Sequence, residues 1–375
     1  MTKQRSGDTD GGATRRGFLA AAGAGAAAVG LAGCTGGTGG STEGDGDGDA
    51  GGGGDDSADG SAGGDTGTES SAELEDAMTI FHAGSLAPPF SEAEPAFEEE
   101  YGVDVTREAQ GSVASTQKIT QQGRAADVLG TSDFRLIRDR MLGEFADWYA
   151  IFTTNAMSIQ YREDSPGADD IGADNWWEVL TRDDVVIGHS DPAVDPGGYR
   201  AVMTQQLGAE PFEGERLYDD ATYERLRENS TVPTGTETNL EGQLESGELD
   251  YVFYYQSISA SSGLPYVELQ PEVDLSQATS AYAEHYAKAA VETSSGTFTG
   301  APIAYGITSP SVAESPNAGA EWVEYFATEP GRAVLEELGL VPVDPIVVPA
   351  AAEDAVPENV ASVASAQETL GPLEL

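Results

Sequence analysis

Three features of this 375-residue chain place its folded part in the α/β class. From residue 78 onward short apolar runs alternate with stretches of helical period, and the runs end in Gly/Ser turns. The strand-helix order then starts afresh beyond "MSIQYRED" (157–164), so two successive units are expected. No internal repeat accompanies the pattern.

The first 76 residues lack this grammar. Residues 1–34 run from a charged start through an apolar, small-residue stretch to a small-residue cleavage site, which is the pattern of an export signal. Arg15 and Arg16 before Gly17, Phe18 and Leu19 resemble a twin-arginine signal, and Leu31-Ala32-Gly33-Cys34 resembles a lipobox. The expected mature protein begins at a lipid-modified Cys34. That residue is the sole cysteine, so neither an intrachain disulfide nor a multi-cysteine metal site can form. Residues 35–76 hold almost no apolar residue larger than Ala until Leu74. They cannot bury enough surface to offset ordering entropy and read as a disordered acidic, Gly-rich linker.

Charge narrows the function. The chain sets 65 Asp and Glu against 18 Lys and Arg, a formal net charge of -47, and Lys3, Lys118 and Lys288 are its only lysines. Such a surface excludes nucleic acid as a partner. Because 39% of the residues are still hydrophobic, the acidity is a coat over a globular interior. It fits a halophilic cell, where molar salt screens self-repulsion to within about 3 Å.

The elements follow in order. "MTIFHA" is an apolar strand ending at Gly84-Ser85, and "PPFSEAEPAFEEEYG" is a helix with Phe90, Phe97 and Tyr101 at helical intervals and a Gly102 stop. "VDVTREA" alternates as a strand, "SVASTQKITQQG" is a short helix, and "ADVLGTSD" is a buried strand. Strands separated by helices imply a parallel sheet. The second unit gives a helix at "NWWEVLTRDD", a strand at "VVIGHSDP", helices at "PGGYRAVMTQQLG" and "TETNLEGQLESGELD", and a strand at "YVFYYQS". "TGAPIAYGITSP" then reads as a strand and "NAGAEWVEYFATEPGRAVLEELG" as an amphipathic stretch with Trp322, Tyr325 and Phe326 on one side. In such folds a ligand lies beyond the carboxyl ends of the strands. Three turns there, Gly84-Ser85, Gly111-Ser112 and Asp195 to Gly198, each aim donors from the first turn of a helix, and together they suit an oxyanion.

These segments carry a resemblance. "AGSL", "EAQGSVASTQKITQQGRAADVL", "FADWYAIFTTNAMSIQY", "SDPAVDPGGYR", "TETNLEGQLESGELDYVFYYQS" and "APIAYGITSP" stand in the order found in the tungstate/molybdate-binding proteins of archaeal ABC transporters, which the chain resembles over about residues 78–350. The resemblance implies a two-lobe periplasmic-binding-protein type II fold, each lobe a mixed sheet flanked by helices, joined by a two-strand hinge. Lobe 1 would comprise 77–157 and 262–375, and lobe 2 would comprise 158–261. It implies tungstate or molybdate as the ligand, no resident cofactor, and delivery to an ABC permease and its ATPase from a lipid-anchored position outside the cell membrane.

In that family the metal of the oxyanion is six-coordinate, four oxo groups being completed by one Asp and one Glu oxygen. Carried over, these are Asp195 of "VDPGGYR" and Glu237 of "TETNL", with Glu241 one helical turn on as the fallback. The oxo groups would be met by the Gly84-Ser85 turn, by Ser112, by the backbone at Pro196 and Gly197, and by the Tyr255 hydroxyl. W(VI) and Mo(VI) are hard acids that expand beyond four ligands, and carboxylate oxygen suits them. Sulfate and phosphate cannot expand, so the same carboxylates repel them. One departure from the family is Gln256, which stands where a basic residue is common.

Two other readings compete. Tyr254-Tyr255 could form a phenolate pair for ferric iron, but strand alternation turns the two side chains to opposite faces; a sulfate- or phosphate-binding protein would share the architecture. An enzyme is not expected: the chain has only His82, His189 and His285, and no nucleophile elbow, phosphate loop or metalloprotease helix. His82 and His189 read as structural residues near strand ends, and Trp176-Trp177 as helix-to-sheet packing.

Overall fold

The computed structural model describes residues 74–233 and 238–375. The export signal, Cys34, most of the linker and Glu237 lie outside the described residues. In chain order the strands are β1 (Ala77–Ala83), β2 (Asp104–Gln110), β3 (Val128–Thr131), β4 (Ala150–Thr154), β5 (Met157–Tyr161), β6 (Ile187–Gly188) and β7 (Ser230–Thr231). They continue with β8 (Tyr251–Tyr255), β9 (Tyr266–Glu268), β10 (Ala290–Thr293), β11 (Gly296–Thr299), β12 (Ala304–Thr308), β13 (Val341–Pro349) and β14 (Ala364–Gln367). One sheet has the order β14-β13-β4-β12-β3-β1-β2 and a second β7-β6-β8-β5-β9, while β10 and β11 form a separate hairpin.

Strands β1, β2 and β3 are parallel, as their helical connections require. The sheet as a whole is mixed, because β12 enters antiparallel between β3 and β4. Its sheet neighbours β3 and β4 lie more than a hundred residues earlier in the chain, so no single crossover helix ties β12 to either and nothing forces a parallel run. The chain leaves the first sheet through Asn155 and Ala156 and returns to it at β12. The second sheet extends past the expected boundary at residue 261, since β9, which follows α8, pairs antiparallel with the free edge of β5 and so runs in the same direction as β8.

The helices are α1 (Ala87–Tyr101), α2 (Ser112–Thr120), α3 (Arg135–Arg140), α4 (Trp176–Leu180), α5 (Pro196–Ala209), α6 (Asp220–Asn229) and α7 (Thr238–Ser246). After them come α8 (Gln256–Ser262), α9 (Ser280–Tyr286), α10 (Pro316–Tyr325), α11 (Glu329–Glu337) and α12 (Glu358–Val363). Among the described residues no helix is long and apolar enough to cross a membrane.

Helix α1 shows how the pattern becomes structure. Pro88 and Pro89 occupy its first turn, where a missing N-H costs nothing. It ends at Gly102, whose φ of 71° only glycine adopts readily, with the Gly102 amide donating to the Glu98 carbonyl at 3.0 Å. Phe90, Ala93 and Phe97 are buried on one stripe. The Phe90 ring meets Trp322 at 5.3 Å and Phe326 at 5.0 Å, pinning α1 to α10. The amphipathic stretch 317–339 is two helices, broken between Tyr325 and Glu329. Pro330, in the first turn of α11, has no N-H with which to continue α10. Trp176 is fully buried edge-on against Phe253 and Tyr218, at 5.9 and 5.7 Å, and its indole N-H donates to Gln270 Oε1 at 3.1 Å.

Phe90→Ala should leave a cavity under α10 and cost about 3–5 kcal/mol. Urea unfolding in molar salt would measure it, and a loss below about 1 kcal/mol would contradict the packing described.

Candidate functional site

All three Gly/Ser turns are buried and face one region. Gly84 to Leu86 form a short turn of 3-10 helix between β1 and α1. The Ser85 hydroxyl accepts from the Tyr305 hydroxyl at 2.9 Å, and Tyr305 lies on β12. Asn155, at the crossing between the sheets, donates through Nδ2 to the Tyr305 hydroxyl at 3.0 Å and to Ser257 Oγ at 2.7 Å. Ser85 is thereby tied to the start of α8, directly after Tyr255.

The second turn is shaped by close approach. A Cβ at Gly111 would collide with the Val194 carbonyl oxygen and lie 2.8 Å from Asp195 Cβ, so only glycine lets α2 come this near to α5. The Ala114 amide, in the first turn of α2, donates to that Val194 carbonyl at 3.2 Å. Two helix N-termini from different sheets therefore meet, with their positive dipole ends together. The Ser112 hydroxyl accepts from the Ser132 amide at 3.0 Å and bonds Ser132 Oγ at 3.1 Å, which anchors α2 to the end of β3.

Asp195 is the N-cap of α5 and is 1% exposed. A cap accounts for only one of its oxygens: Oδ1 accepts from the Gly197 amide at 3.3 Å, while the buried Oδ2 has no hydrogen bond of good geometry and the Ser190 hydroxyl is the donor nearest the group. Burial pushes the carboxyl above its ordinary range, against the opposing pull of the Ser190 hydroxyl, the Gly197 amide and the Arg200 charge. An unsatisfied buried carboxylate oxygen is costly. Here it sits among helix N-termini, where a ligand with acceptor oxygens and an electrophilic centre would satisfy every group. Pro196 and Gly197 form the first helical turn beside it, and a Cβ at Gly198 would strike the Ser190 carbonyl.

Tyr255 ends β8 with its ring buried. Tyr251, Phe253 and Tyr255 point into the main core and Val252 and Tyr254 into a smaller cluster with Leu240, Leu244 and Leu249, so the adjacent tyrosines face opposite ways. Gln256 points to Glu268 at 3.3 Å. A cation reaches Tyr255 from α5 instead: Arg200 Nη1 donates to the Tyr255 hydroxyl and to the Ser132 carbonyl, each at 2.6 Å. Arg200 Nη2 stands 3.6 Å from Asp133, which Arg135 holds with both arms and the Tyr199 hydroxyl meets at 2.6 Å. Burial opposes charge at Asp133, but Arg135, with Arg200 and Tyr199 behind it, holds its carboxyl well below the usual range.

Ser85, Ser112 and Tyr255 are thus joined through Tyr305, Asn155, Arg200 and Ser132, none of which was a sequence candidate, while Asp195 lies beside Ser112 at the Gly111 approach. A signal for Arg200 existed: it lies four positions past Pro196, on the face of α5 that carries the first turn. Glu241 is half-buried in the first turn of α7, its carboxyl raised by burial and by Glu245. His82 and His189 end equivalent strands in the two sheets, and each ring places Nδ1 2.8 Å from the next residue's carbonyl. Nδ1 therefore carries the proton, and burial lowers both side chains to about 4.

With this geometry in place, similarity gives the class. Residues 78–341 match the bacterial extracellular solute-binding protein family, and the chain belongs to it. Among curated relatives, an uncharacterized solute-binding protein of Petrotoga mobilis is 39% identical over 283 residues, covering 73% of this chain and 86% of the relative. The molybdate/tungstate-binding protein WtpA of Pyrococcus abyssi is 34% identical over 287 residues, covering 69% and 83%. The fold is that of periplasmic-binding-protein type II structures. The periplasmic molybdate-binding protein of Azotobacter vinelandii superposes with a TM-score of 0.53 at 15% identity, covering 70% of this chain and 98% of that one. The sulfate-binding protein SubI of Mycobacterium tuberculosis also gives 0.53, at 16% identity, covering 76% and 93%.

Gly111→Ala should part α2 from α5 and break the Ala114–Val194 hydrogen bond. Amide exchange at Ala114 is expected to quicken by about tenfold, the worth of one such bond, and unchanged exchange would refute the contact. The histidines make a pH prediction. Between pH 6.5 and about 4 the unfolded chain protonates them while the fold keeps them neutral, so they draw stability down as pH falls through that window. A His82→Asn/His189→Asn variant should show a shallower loss than the wild type in urea unfolding across that range.

Proposed function

We propose that this protein captures tungstate or molybdate between its two sheets and delivers it to an ABC permease. The observation that carries the reading is Asp195: a buried carboxylate with one oxygen bonded to its own helix and the other, Oδ2, without a hydrogen bond of good geometry. For sulfate or phosphate that oxygen is a repulsive neighbour. For W(VI) or Mo(VI), which accept ligands beyond their four oxo groups, it is a ligand. Glu237 is proposed as the second. The name of the Pyrococcus relative, a molybdate/tungstate-binding protein, supports the same ligand class. The opposed faces of Tyr254 and Tyr255 speak against an iron-binding phenolate pair.

In this reading the units around the two sheets act as lobes, hinged at Asn155-Ala156 and at the return segment before β12. The anion is gripped by the Gly84-Ser85 turn, Ser112, the Pro196-Gly197 backbone and Tyr255. Closing brings donors from both lobes onto one ligand, which gives the ligand its differential affinity for the closed state. The protein binds without catalysis, is exported by its twin-arginine signal and is held at the membrane through Cys34.

Calorimetric titration of the purified chain in molar salt tests this with tungstate, molybdate, sulfate and ferric citrate. Saturable binding of tungstate or molybdate, silence with sulfate and iron, and a loss of about a hundredfold or more on Asp195→Ala or Glu237→Ala are expected, since each removes a metal-ligand bond. Sulfate binding that survives both substitutions would overturn the coordination.

A further inference from the structure

Arg200 is only 2% exposed, and its short contacts are to uncharged oxygens, the Ser132 carbonyl and the Tyr255 hydroxyl. The carboxylate near it, Asp133, is already taken by Arg135 at 2.9 and 2.7 Å and stands 3.6 Å from Arg200. Asp133, Arg135 and Arg200 together carry one net positive charge, and the buried carboxylate that feels it is Asp195. A buried cation and a buried carboxylate are each expensive unless they offset one another. This chain has 18 Lys and Arg against 65 Asp and Glu, so burying one of them beside Asp195 is a specific use of a scarce residue.

The position says what the charge is for. Arg200 projects from α5 one turn below Asp195, and its guanidinium lies 5.7 Å from the Tyr255 ring centre and 5.8 Å from that of Tyr199. We propose that Arg200 is a positioning and charge-balancing residue of the anion site: it fixes the Tyr255 hydroxyl and offsets the negative charge that Asp195 and a dianion bring together. This rests on the oxyanion reading above. An arginine only donates, so the Tyr255 oxygen accepts at this contact, and accepting from a cation makes its own O-H a stronger donor. The same guanidinium spans the sheets, from Ser132 after β3 to Tyr255 on β8, so the field and the hydroxyl are set together when the sheets close on a ligand.

Titrations with sodium tungstate in molar salt, on the full chain, test the proposal through a double-mutant cycle. Arg200→Gln should weaken binding by about tenfold or more, as loss of a charged hydrogen-bond donor does. Arg200→Lys, which keeps the charge but not the fork, should lose less. Tyr255→Phe added to Arg200→Gln should cost little beyond Arg200→Gln alone, because without the arginine the Tyr255 hydroxyl is no longer held on the ligand. A merely structural arginine would give additive losses. Additive losses, or Arg200→Gln within about twofold of wild type, overturn the proposal. If circular dichroism shows that Arg200→Gln does not fold, the cycle of Arg200→Lys with Tyr255→Phe decides by the same criterion. A wild-type chain that takes up no tungstate overturns the oxyanion reading itself, a failure distinct from additivity in a chain that binds.

Discussion

A single close approach organises the site: the backbone of Gly111 against Val194 and Asp195. It brings the N-terminus of α2, rooted in the first sheet, against the N-terminus of α5, rooted in the second, and the Ala114 amide closes the gap on the Val194 carbonyl. Two helix N-termini facing each other repel unless something negative lies near both. Asp195 meets that need only in part, because one oxygen caps its own helix and the other is left over.

Around this point the protein manages a shortage of positive charge. Surface cations such as Arg225 and Arg216 pair with exposed carboxylates, where such pairs contribute little. The pairing of Asp133 with Arg135 and Tyr199 is of another kind, because Asp133 and Tyr199 are cut off from solvent and only Arg135 keeps some contact with it. Tyr199 also stacks on Phe298 of the separate β10-β11 hairpin at 4.2 Å, so the same residue packs on one element while it holds Asp133 on the first sheet's side.

Much of this was legible in the sequence where a local rule applies. The strand-helix order, the Gly102 stop, the apolar stripe of Phe90 and Phe97 and the opposed faces of Tyr254 and Tyr255 all follow from side-chain period. Long-range facts were not legible. No local feature says that β12 inserts antiparallel between β3 and β4, or that Arg200 reaches both Ser132 and Tyr255 across two sheets. Helix α6 escaped because only Leu226 on it is buried, so it has no apolar stripe to read. The break between α10 and α11 was signalled by Pro330, but the run of Trp322, Tyr325 and Phe326 hid it. For the candidate site, turn chemistry pointed to Ser85, Ser112 and Asp195 but not to the Tyr305, Asn155 and Arg200 contacts around them.

The insertion of β12 also bears on how the chain folds. Thr131 at the end of β3 bonds Gly306 on β12, a separation of 175 residues, and β4 takes the other edge of the same strand. Pairings of such span are slow to form, because the entropy of closing the intervening loop is spent before any contact returns it. Until β12 arrives, β3 and β4 present two bare hydrogen-bonding edges within one half-built sheet, the kind of surface through which growing chains join one another. The time that one five-residue strand takes to find its slot sets how long this molecule is exposed to self-association.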